Sequence, residues 1–196
     1  MLELKKGVDI LAYTGGVATI DQAKTVIEQK LDAENLEKLA PIKNEEALLK
    51  IANAIALCEP DHVFIDTGRE ADTQWVRDYS LRKGEEKKLA KDGHTIHFDL
   101  PQEQARLVNQ TFYIVNEGEN LSALAKSTPR AEALEYVREN MRGIMKGKSM
   151  LIGFFCRGPA GASATIPAIA ISSSGYVFHS ASLLYRKCYE QFDAEV

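Results

Sequence analysis

The stretch SMLIGFFC, residues 149–156, is an almost unbroken apolar run. Such a run predicts a strand that is buried on both faces in the middle of a layered domain. The segment GPAGAS (158–163) follows it and favours a tight strand-to-strand connection, although a ligand-binding loop has the same composition. Two further apolar segments, IPAIAIS (166–172) and YVFHSASLLYR (176–186), predict two more strands. We therefore expect the opening stretch to lie in a sheet together with the strands that follow it.

Upstream of this stretch, helical and β-rich segments alternate. Apolar spacing, capping residues and proline breaks predict helices over 21–39, 44–58, 70–92 and 128–141, with Gly84 as a weak break in the third. β-rich or alternating segments predict strands at 62–68, 94–99 and 111–116. This order predicts an α/β fold, a layered domain with a mixed β-sheet flanked by helices. The length of 196 residues suits a single domain, residues 1–196.

The Gly-Lys-Ser triplet at residues 147–149 looks like the end of a nucleotide-binding phosphate loop. Such a loop needs G-x-x-x-x-G-K-[ST] between a strand and a helix, so that backbone N–H groups face the phosphates. Here Gly143 is one residue too close, and the predicted order is reversed, with a helix before the triplet and a strand after it. The triplet is therefore interpreted as a helix-to-strand connection and not as a nucleotide site.

The composition is that of an ordinary globular protein with a net charge of −4. Proteins that bind the phosphate backbone are usually basic, so we expect no nucleic acid partner. No apolar run approaches the ~20 residues that span a bilayer, so we expect no membrane partner. The three widely spaced cysteines favour reduced thiols and a cytoplasmic location. The four histidines form no metal-binding motif, so no complete metal site is expected within this chain.

Five short motifs in a fixed order carry a more specific signal. They are CEPDHV (58–63), PQEQAR (101–106), MKGKSM (145–150), RGPAGAS (157–163) and SGYV (174–177). In this order and spacing, the set resembles the amino-terminal domain of GTP-dependent phosphoenolpyruvate carboxykinase, over roughly residues 45–190. Each motif alone is weak, and it is their order that makes the resemblance specific.

The resemblance implies an enzyme, a lyase of gluconeogenesis, that converts oxaloacetate and GTP to phosphoenolpyruvate, GDP and CO₂. It also implies Mn²⁺ at the catalytic centre and Mg²⁺ with the GTP of the complete enzyme. Family members are several-fold longer, and their phosphate loop, guanine pocket and manganese ligands lie downstream of the matched region. We therefore expect the nucleotide- and metal-binding domain to be absent from this chain, which alone would bind no cofactor and be inactive. The carboxy-terminal domain of the same enzyme is the expected partner.

Arg106 is the one site residue that the resemblance assigns. It matches the family arginine that ends the Pro-x-x-x-Ala-Arg stretch and holds the carboxylate of oxaloacetate or phosphoenolpyruvate. Arginine suits this role because its planar fork grips a carboxylate through two hydrogen bonds and keeps its charge. Without the resemblance, the simpler interpretation is a surface arginine paired with Glu103. Family members often carry an acidic residue two positions after this arginine and then a lysine, whereas Leu107-Val108-Asn109-Gln110 follows here.

Three other features have structural interpretations. His62 begins a predicted strand, and we expect a hydrogen-bonded structural histidine because one histidine makes no metal site. Cys58 ends an apolar helix and is expected to be buried and inert. The charged run from Arg82 to Lys91 is expected to be a solvated helix face. The alternative for the whole chain is a non-catalytic binding or regulatory domain that keeps the fold without the chemistry.

Overall fold

The longest strand of the computed structural model is the one that the apolar stretch predicts. The structure describes residues 15–100, 107, 111–119, 121–159, 162–163 and 165–192. In chain order its elements are α1 (Ile20–Lys30), α2 (Ala33–Leu39), α3 (Glu45–Cys58), β1 (His62–Asp66), α4 (Glu70–Lys83), β2 (Lys87–Lys88), β3 (Thr95–Ile96), β4 (Tyr113–Val115), β5 (Ser127–Pro129), α5 (Arg130–Met141), β6 (Ser149–Arg157), β7 (Ile166–Ser172), α6 (Gly175–Leu184), β8 (Arg186–Lys187) and a 3₁₀ turn (Tyr189–Phe192).

The main sheet is built around β6. One edge of β6 pairs with β1 in parallel, from His62 opposite Ser149 to Asp66 opposite Gly153. Farther along β6, β8 pairs with it in antiparallel orientation. The other edge pairs with β7, also antiparallel, along the whole length of that strand. The sheet is therefore mixed, and with its flanking helices it confirms the predicted α/β fold class.

The side chains of β6 alternate between two apolar layers. Met150, Ile152 and Phe154 lie in the larger layer, which contains buried residues of α1, α2, α3 and the 3₁₀ turn. Leu151 and Phe155 lie in the smaller layer, against α4 and α6. Strand β6 is thus buried on both faces, as its unbroken apolar run predicts.

Gly153 shows how closely α6 approaches the sheet. A Cβ atom at this position would lie 2.5 Å from Phe178 Cζ and 3.0 Å from Phe155 Cε2. Phe178 itself is almost completely buried. The glycine in the middle of the strand therefore makes room for an aromatic ring of the helix above it.

Two of the predicted helices are shorter than expected. The helix predicted over 21–39 is divided into α1 and α2, because Asp32 starts a new helix by accepting a hydrogen bond from the Asn35 N–H. The helix predicted over 70–92 ends at Lys83, where Gly84 adopts a left-handed conformation with φ of 73°. The residues after Gly84 enter the β2–β3 hairpin.

The strand predicted at 176–186 is wrong, because Gly175–Leu184 forms α6. The Ser174 side chain accepts a hydrogen bond from the Val177 N–H and so starts the helix. A short apolar run does not distinguish a strand from a helix by spacing alone, and the capping serine was the signal that the prediction missed. The predicted strands at 94–99 and 111–116 shrink to Thr95–Ile96 and Tyr113–Val115. Among the described residues, no helix combines the length and apolarity needed to cross a membrane.

Candidate functional site

The Gly-Lys-Ser triplet lies between α5 and β6, as the sequence predicts. Gly147 has a φ of 75°, and its N–H donates a hydrogen bond to Asp61 Oδ1 at 3.0 Å. The Lys148 N–H donates to the Met145 carbonyl. These bonds close a turn from helix to strand and attach it to the entry of β1. The interpretation of the triplet as a helix-to-strand connection is therefore confirmed.

The glycine-rich segment after β6 connects two antiparallel strands. Arg157 pairs with Ile166, so residues 158–165 form the connection between β6 and β7. A strand-to-strand connection is confirmed, although eight residues make it longer than a tight turn. Three residues of this connection (160, 161 and 164) lie outside the described part of the chain, and its alternative role as a ligand loop stays a prediction.

Arg106, the predicted carboxylate clamp, lies outside the described residues, and its role stays a prediction. The residues that lead into its segment are held firmly. His97 Nδ1 donates to the Glu85 carbonyl at 2.6 Å, and its Nε2 lies 3.1 Å from Asp99 Oδ1. The His97 ring also stacks on Tyr176 of α6, with 3.5 Å between the ring centroids. The chain is thus attached to the main body a few residues before Arg106.

The charged run that contains Glu85 and Glu86 is not a solvated helix face, and that prediction is wrong for these two residues. Glu85 Oε2 accepts hydrogen bonds from Ser174 Oγ at 2.9 Å and from the Tyr176 N–H at 2.8 Å. The carboxylate therefore lies at the amino-terminal end of α6, where the helix dipole favours negative charge. The run leaves its helix at Gly84, so its later residues turn back toward the body of the protein.

Glu86 is buried, with 5% of its surface exposed. Its carboxylate accepts a hydrogen bond from Thr95 Oγ1 at 2.6 Å and lies 3.3 Å from His179 Nδ1. Burial alone would raise the pKa of Glu86, but the hydrogen bond from Thr95, together with the nearby His179, lowers it. Glu85 and Glu86 together attach the β2–β3 hairpin to α6.

A second polar cluster lies at the carboxyl end of β1. Asp72 Oδ1 pairs with Lys38 Nζ at 2.8 Å, and Asp72 Oδ2 accepts hydrogen bonds from the Thr67 N–H and hydroxyl at 3.0 and 2.6 Å. Burial opposes ionisation of Asp72, but these bonds outweigh it and lower the pKa of the carboxyl. Burial raises the pKa of the neighbouring Asp66, which accepts a hydrogen bond from the Gly68 N–H at 2.7 Å. Asp72 therefore links α4 to α2 and to the loop after β1.

A cleft of about 310 Å³ lies beside the carboxyl end of β6. Its lining includes Arg157, Tyr185 and Arg186. Arg157 Nη2 lies 3.4 Å from Tyr185 Oη, and its guanidinium stands 5.2 Å from the centre of the Tyr185 ring. Guanidinium groups that line a cleft suit carboxylate or phosphate ligands, and in α/β sheets ligands commonly bind at the carboxyl ends of strands. The sequence analysis missed this cleft, although an arginine at the end of the central apolar run was a signal for it.

His62 and Cys58 have the structural roles that the sequence predicts. His62 Nε2 lies 3.2 Å from Asp32 Oδ2, so the histidine is hydrogen-bonded. Cys58 is 1% exposed, and burial raises the pKa of its thiol. Burial likewise raises the pKa of the Cys188 thiol to about 12, with a further contribution from the adjacent Cys156. Protonated, buried thiols are poor nucleophiles, so these cysteines serve packing.

The fold defines an α/β domain with a mixed sheet and an arginine-lined cleft at the carboxyl end of its central strand. Residues 50–196 match the family model of the phosphoenolpyruvate carboxykinase N-terminal domain. The chain belongs to this family. The match confirms the resemblance carried by the five sequence motifs.

Curated relatives agree with the family match. The chain is 40% identical over 173 residues to the phosphoenolpyruvate carboxykinase [GTP] of Pyrococcus furiosus, covering 88% of this chain and 28% of the relative. It is 40% identical over 166 residues to the enzyme of the same name from Thermococcus kodakarensis, covering 85% and 26%. For the Saccharolobus solfataricus enzyme the identity is 34% over 157 residues, covering 80% and 26%. The chain therefore spans little more than a quarter of the length of these relatives.

Proposed function

We propose that this chain is the organic-acid-binding part of a GTP-dependent phosphoenolpyruvate carboxykinase, acting in gluconeogenesis in the cytoplasm. The reaction is the conversion of oxaloacetate and GTP to phosphoenolpyruvate, GDP and CO₂. The observation that carries the proposal is the match of residues 50–196 to the N-terminal domain of this family. The names of the relatives support GTP as the nucleotide.

The chain's own contribution in this proposal is a carboxylate clamp at Arg106. Decarboxylation of oxaloacetate leaves an enolate, and phosphoryl transfer requires that the enolate oxygen be held in line with the γ-phosphate of GTP. A guanidinium that grips the remaining carboxylate fixes the orientation of the substrate without taking part in bond breaking. The contacts of His97 with Tyr176 and the Glu85 carbonyl support this role. A side chain that orients a substrate needs a backbone that is held in position by the residues around it.

The nucleotide and the cations belong, in this proposal, to the part of the enzyme beyond this chain. Within the described ranges, no group of three or more His, Cys, Asp or Glu side chains could hold a metal ion. We therefore assign no step through a metal to the described residues. A carboxy-terminal domain that binds GTP and the cations is the partner that the proposal requires.

Arg106→Ala tests the clamp in a chimera in which this chain replaces the matched region of the Pyrococcus furiosus enzyme. Loss of a hydrogen-bonded ion pair to the substrate should raise the KM for phosphoenolpyruvate and oxaloacetate by about tenfold or more. The KM for GTP should change by less than about twofold, because the proposed contact of Arg106 is with the organic acid and not with the nucleotide. Steady-state kinetics with each substrate varied in turn measures both.

Arg142→Ala is the matched control, since Arg142 is an exposed arginine in the turn after α5. It should leave both KM values unchanged. An unchanged KM for the organic acids in Arg106→Ala would contradict the clamp. A chimera that folds and binds both substrates but catalyses nothing would favour the second candidate, a binding or regulatory domain without the chemistry.

A further inference from the structure

Two of the three cysteines are neighbours at the carboxyl end of the central strand, in the larger apolar layer. Cys156 lies opposite Arg186 where β6 pairs with β8. The Cys188 N–H donates to the Phe154 carbonyl at 3.0 Å, so Cys188 continues this pairing opposite Phe154. Residues two apart on a strand share a face, which makes Cys156 and Cys188 diagonal neighbours on one face of the sheet.

The two thiols interact, and both are closed off from bulk solvent. Cys156 is 1% exposed and Cys188 is 4% exposed. Burial and, in addition, the adjacent Cys156 raise the pKa of the Cys188 thiol to about 12, so the two side chains are close. Diagonal neighbours on paired strands lie about 7–8 Å apart, and a disulfide joins Cα atoms at most about 6.8 Å apart. A disulfide between them therefore needs only a small displacement of one strand.

Strand β8 is the element that can supply this displacement. It consists of two residues, and among the described strands it pairs with β6 alone. A short edge strand has few backbone hydrogen bonds to lose, so it opens locally at a lower free energy than the central strand. Opening of β8 displaces Cys188 and admits solvent to Cys156. The thiols are thus unreactive in the closed fold and react through local opening.

The arginine-lined cleft provides a route to this pair. Its lining includes Cys156 together with Arg157 and Arg186. Arg157 contacts the Tyr185 ring and hydroxyl, and within the described ranges neither arginine forms an ion pair with an acidic side chain. Two uncompensated guanidinium groups raise the local concentration of small anions. The cleft therefore favours an anionic reagent over an uncharged one.

We propose that Cys156 and Cys188 form a redox-sensitive pair, which an anionic low-molecular-weight disulfide oxidises through the arginine-lined cleft. Cys156 loses its proton to water, and its thiolate attacks one sulfur of the reagent, whose S–S bond breaks and releases the first thiolate. The Cys188 thiolate then attacks the Cys156 sulfur of the mixed disulfide and releases the second thiolate. The two protein thiols are oxidised by two electrons, and the reagent is reduced to two thiols, which take up the two protons. This modification goes beyond the proposed function and does not depend on it.

The experiment uses the full 196-residue chain and oxidised glutathione as the anionic disulfide. The chain is incubated at graded ratios of oxidised to reduced glutathione, denatured in acid, and alkylated with N-ethylmaleimide. Peptide mapping by mass spectrometry should find Cys156 joined to Cys188, with Cys58 alkylated. The matched control is Cys58→Ser, because Cys58 is equally buried but lies on α3, and this variant should oxidise as the wild type does. Cys188→Ser should stop at the mixed disulfide on Cys156.

A bridge that includes Cys58, a bridge between two chains, or no bridge in the most oxidising mixture would overturn the pair. The mapping is made on the wild-type chain, so it decides the question even where a serine variant fails to fold.

A second measurement tests the cleft as the route. Arg157→Gln should slow oxidation by oxidised glutathione by about threefold or more and leave oxidation by hydroxyethyl disulfide, which carries no charge, unchanged. Arg142→Gln, in the exposed turn after α5, should slow neither reaction. Equal slowing of both reagents in Arg157→Gln, or slowing of neither, would overturn the route through the cleft.

Discussion

The main sheet and the two-stranded β4–β5 sheet make opposite use of short apolar segments. In the main sheet, β6 is covered on both faces, and Phe154 packs edge-to-face against Tyr189 and Phe192. In β4, the neighbouring residues Tyr113 and Ile114 are both open to solvent. Helices of the same chain cover both faces of β6, whereas the described residues leave Tyr113 and Ile114 of β4 exposed. Among the described residues, this difference separates a core that is packed on both faces of β6 from a small sheet whose strand β4 is exposed.

The largest expected effect comes from emptying the complete core. Phe154→Ala should lower the free energy of unfolding by about 3–5 kcal/mol, because a buried ring is lost and a cavity remains. Tyr113→Ala, in the exposed strand, should change it by less than about 0.5 kcal/mol. Urea unfolding of the two variants measures the difference directly. A similar loss in both would mean that β4 is as well supported as β6.

A smaller and pH-dependent effect on stability is expected at Asp72, which links α4 to α2 and to the loop after β1. Asp72 has a lowered pKa, so its contribution to stability is present above the unfolded pKa and is lost as the pH falls through the folded pKa. Asp72→Asn should cost about 1.5–3 kcal/mol at neutral pH, because hydrogen bonds to a charged group are lost. The difference in unfolding free energy between wild type and this variant should shrink as the pH falls below about 4.

The ionisation of Asp66 changes stability with pH in the opposite direction to that of Asp72. For this reason the variant is compared with the wild type at each pH. Burial raises the pKa of Asp66, so its contribution is most favourable at low pH and declines as the pH rises through the folded pKa. Subtracting the Asp72→Asn curve from the wild-type curve removes the part of the Asp66 contribution that comes from burial, while the part that comes from the charge of Asp72 remains in the difference. Glu37→Gln, at an exposed position on α2, should change stability by less than about 0.5 kcal/mol at neutral pH. A difference in unfolding free energy between wild type and Asp72→Asn that stays constant across the acid range would contradict a stabilising role for the charge of Asp72.

The sequence predicted the core of the fold because the signals there are local. An unbroken apolar run marks a strand buried on both faces, and β6 is that strand. The α3 helix follows from its Asn44 cap and apolar spacing. The α6 helix was missed because its apolar, β-rich composition outweighed a single capping serine. For residues 175–184, the hydrogen bond from the Val177 N–H to Ser174 Oγ starts a helix, although the average composition favours a strand.

The candidate site was less accessible to sequence analysis, because its contacts join distant residues. Glu85 reaches Ser174 and Tyr176 across the fold, and within the charged run it had no feature that set it apart. The open faces of the β4–β5 sheet likewise depend on what does not pack against them, which no local pattern encodes. Arg106 came from a motif in the resemblance, and only kinetics can test its role.

Amide hydrogen exchange on this chain tests most directly the claim that β6 is packed on both faces and β4 is not. In the chain alone, amides of Leu151–Cys156 should exchange only through global unfolding, and those of Tyr113–Val115 at least about 100-fold faster through local opening. Equal protection of the two strands would contradict this account.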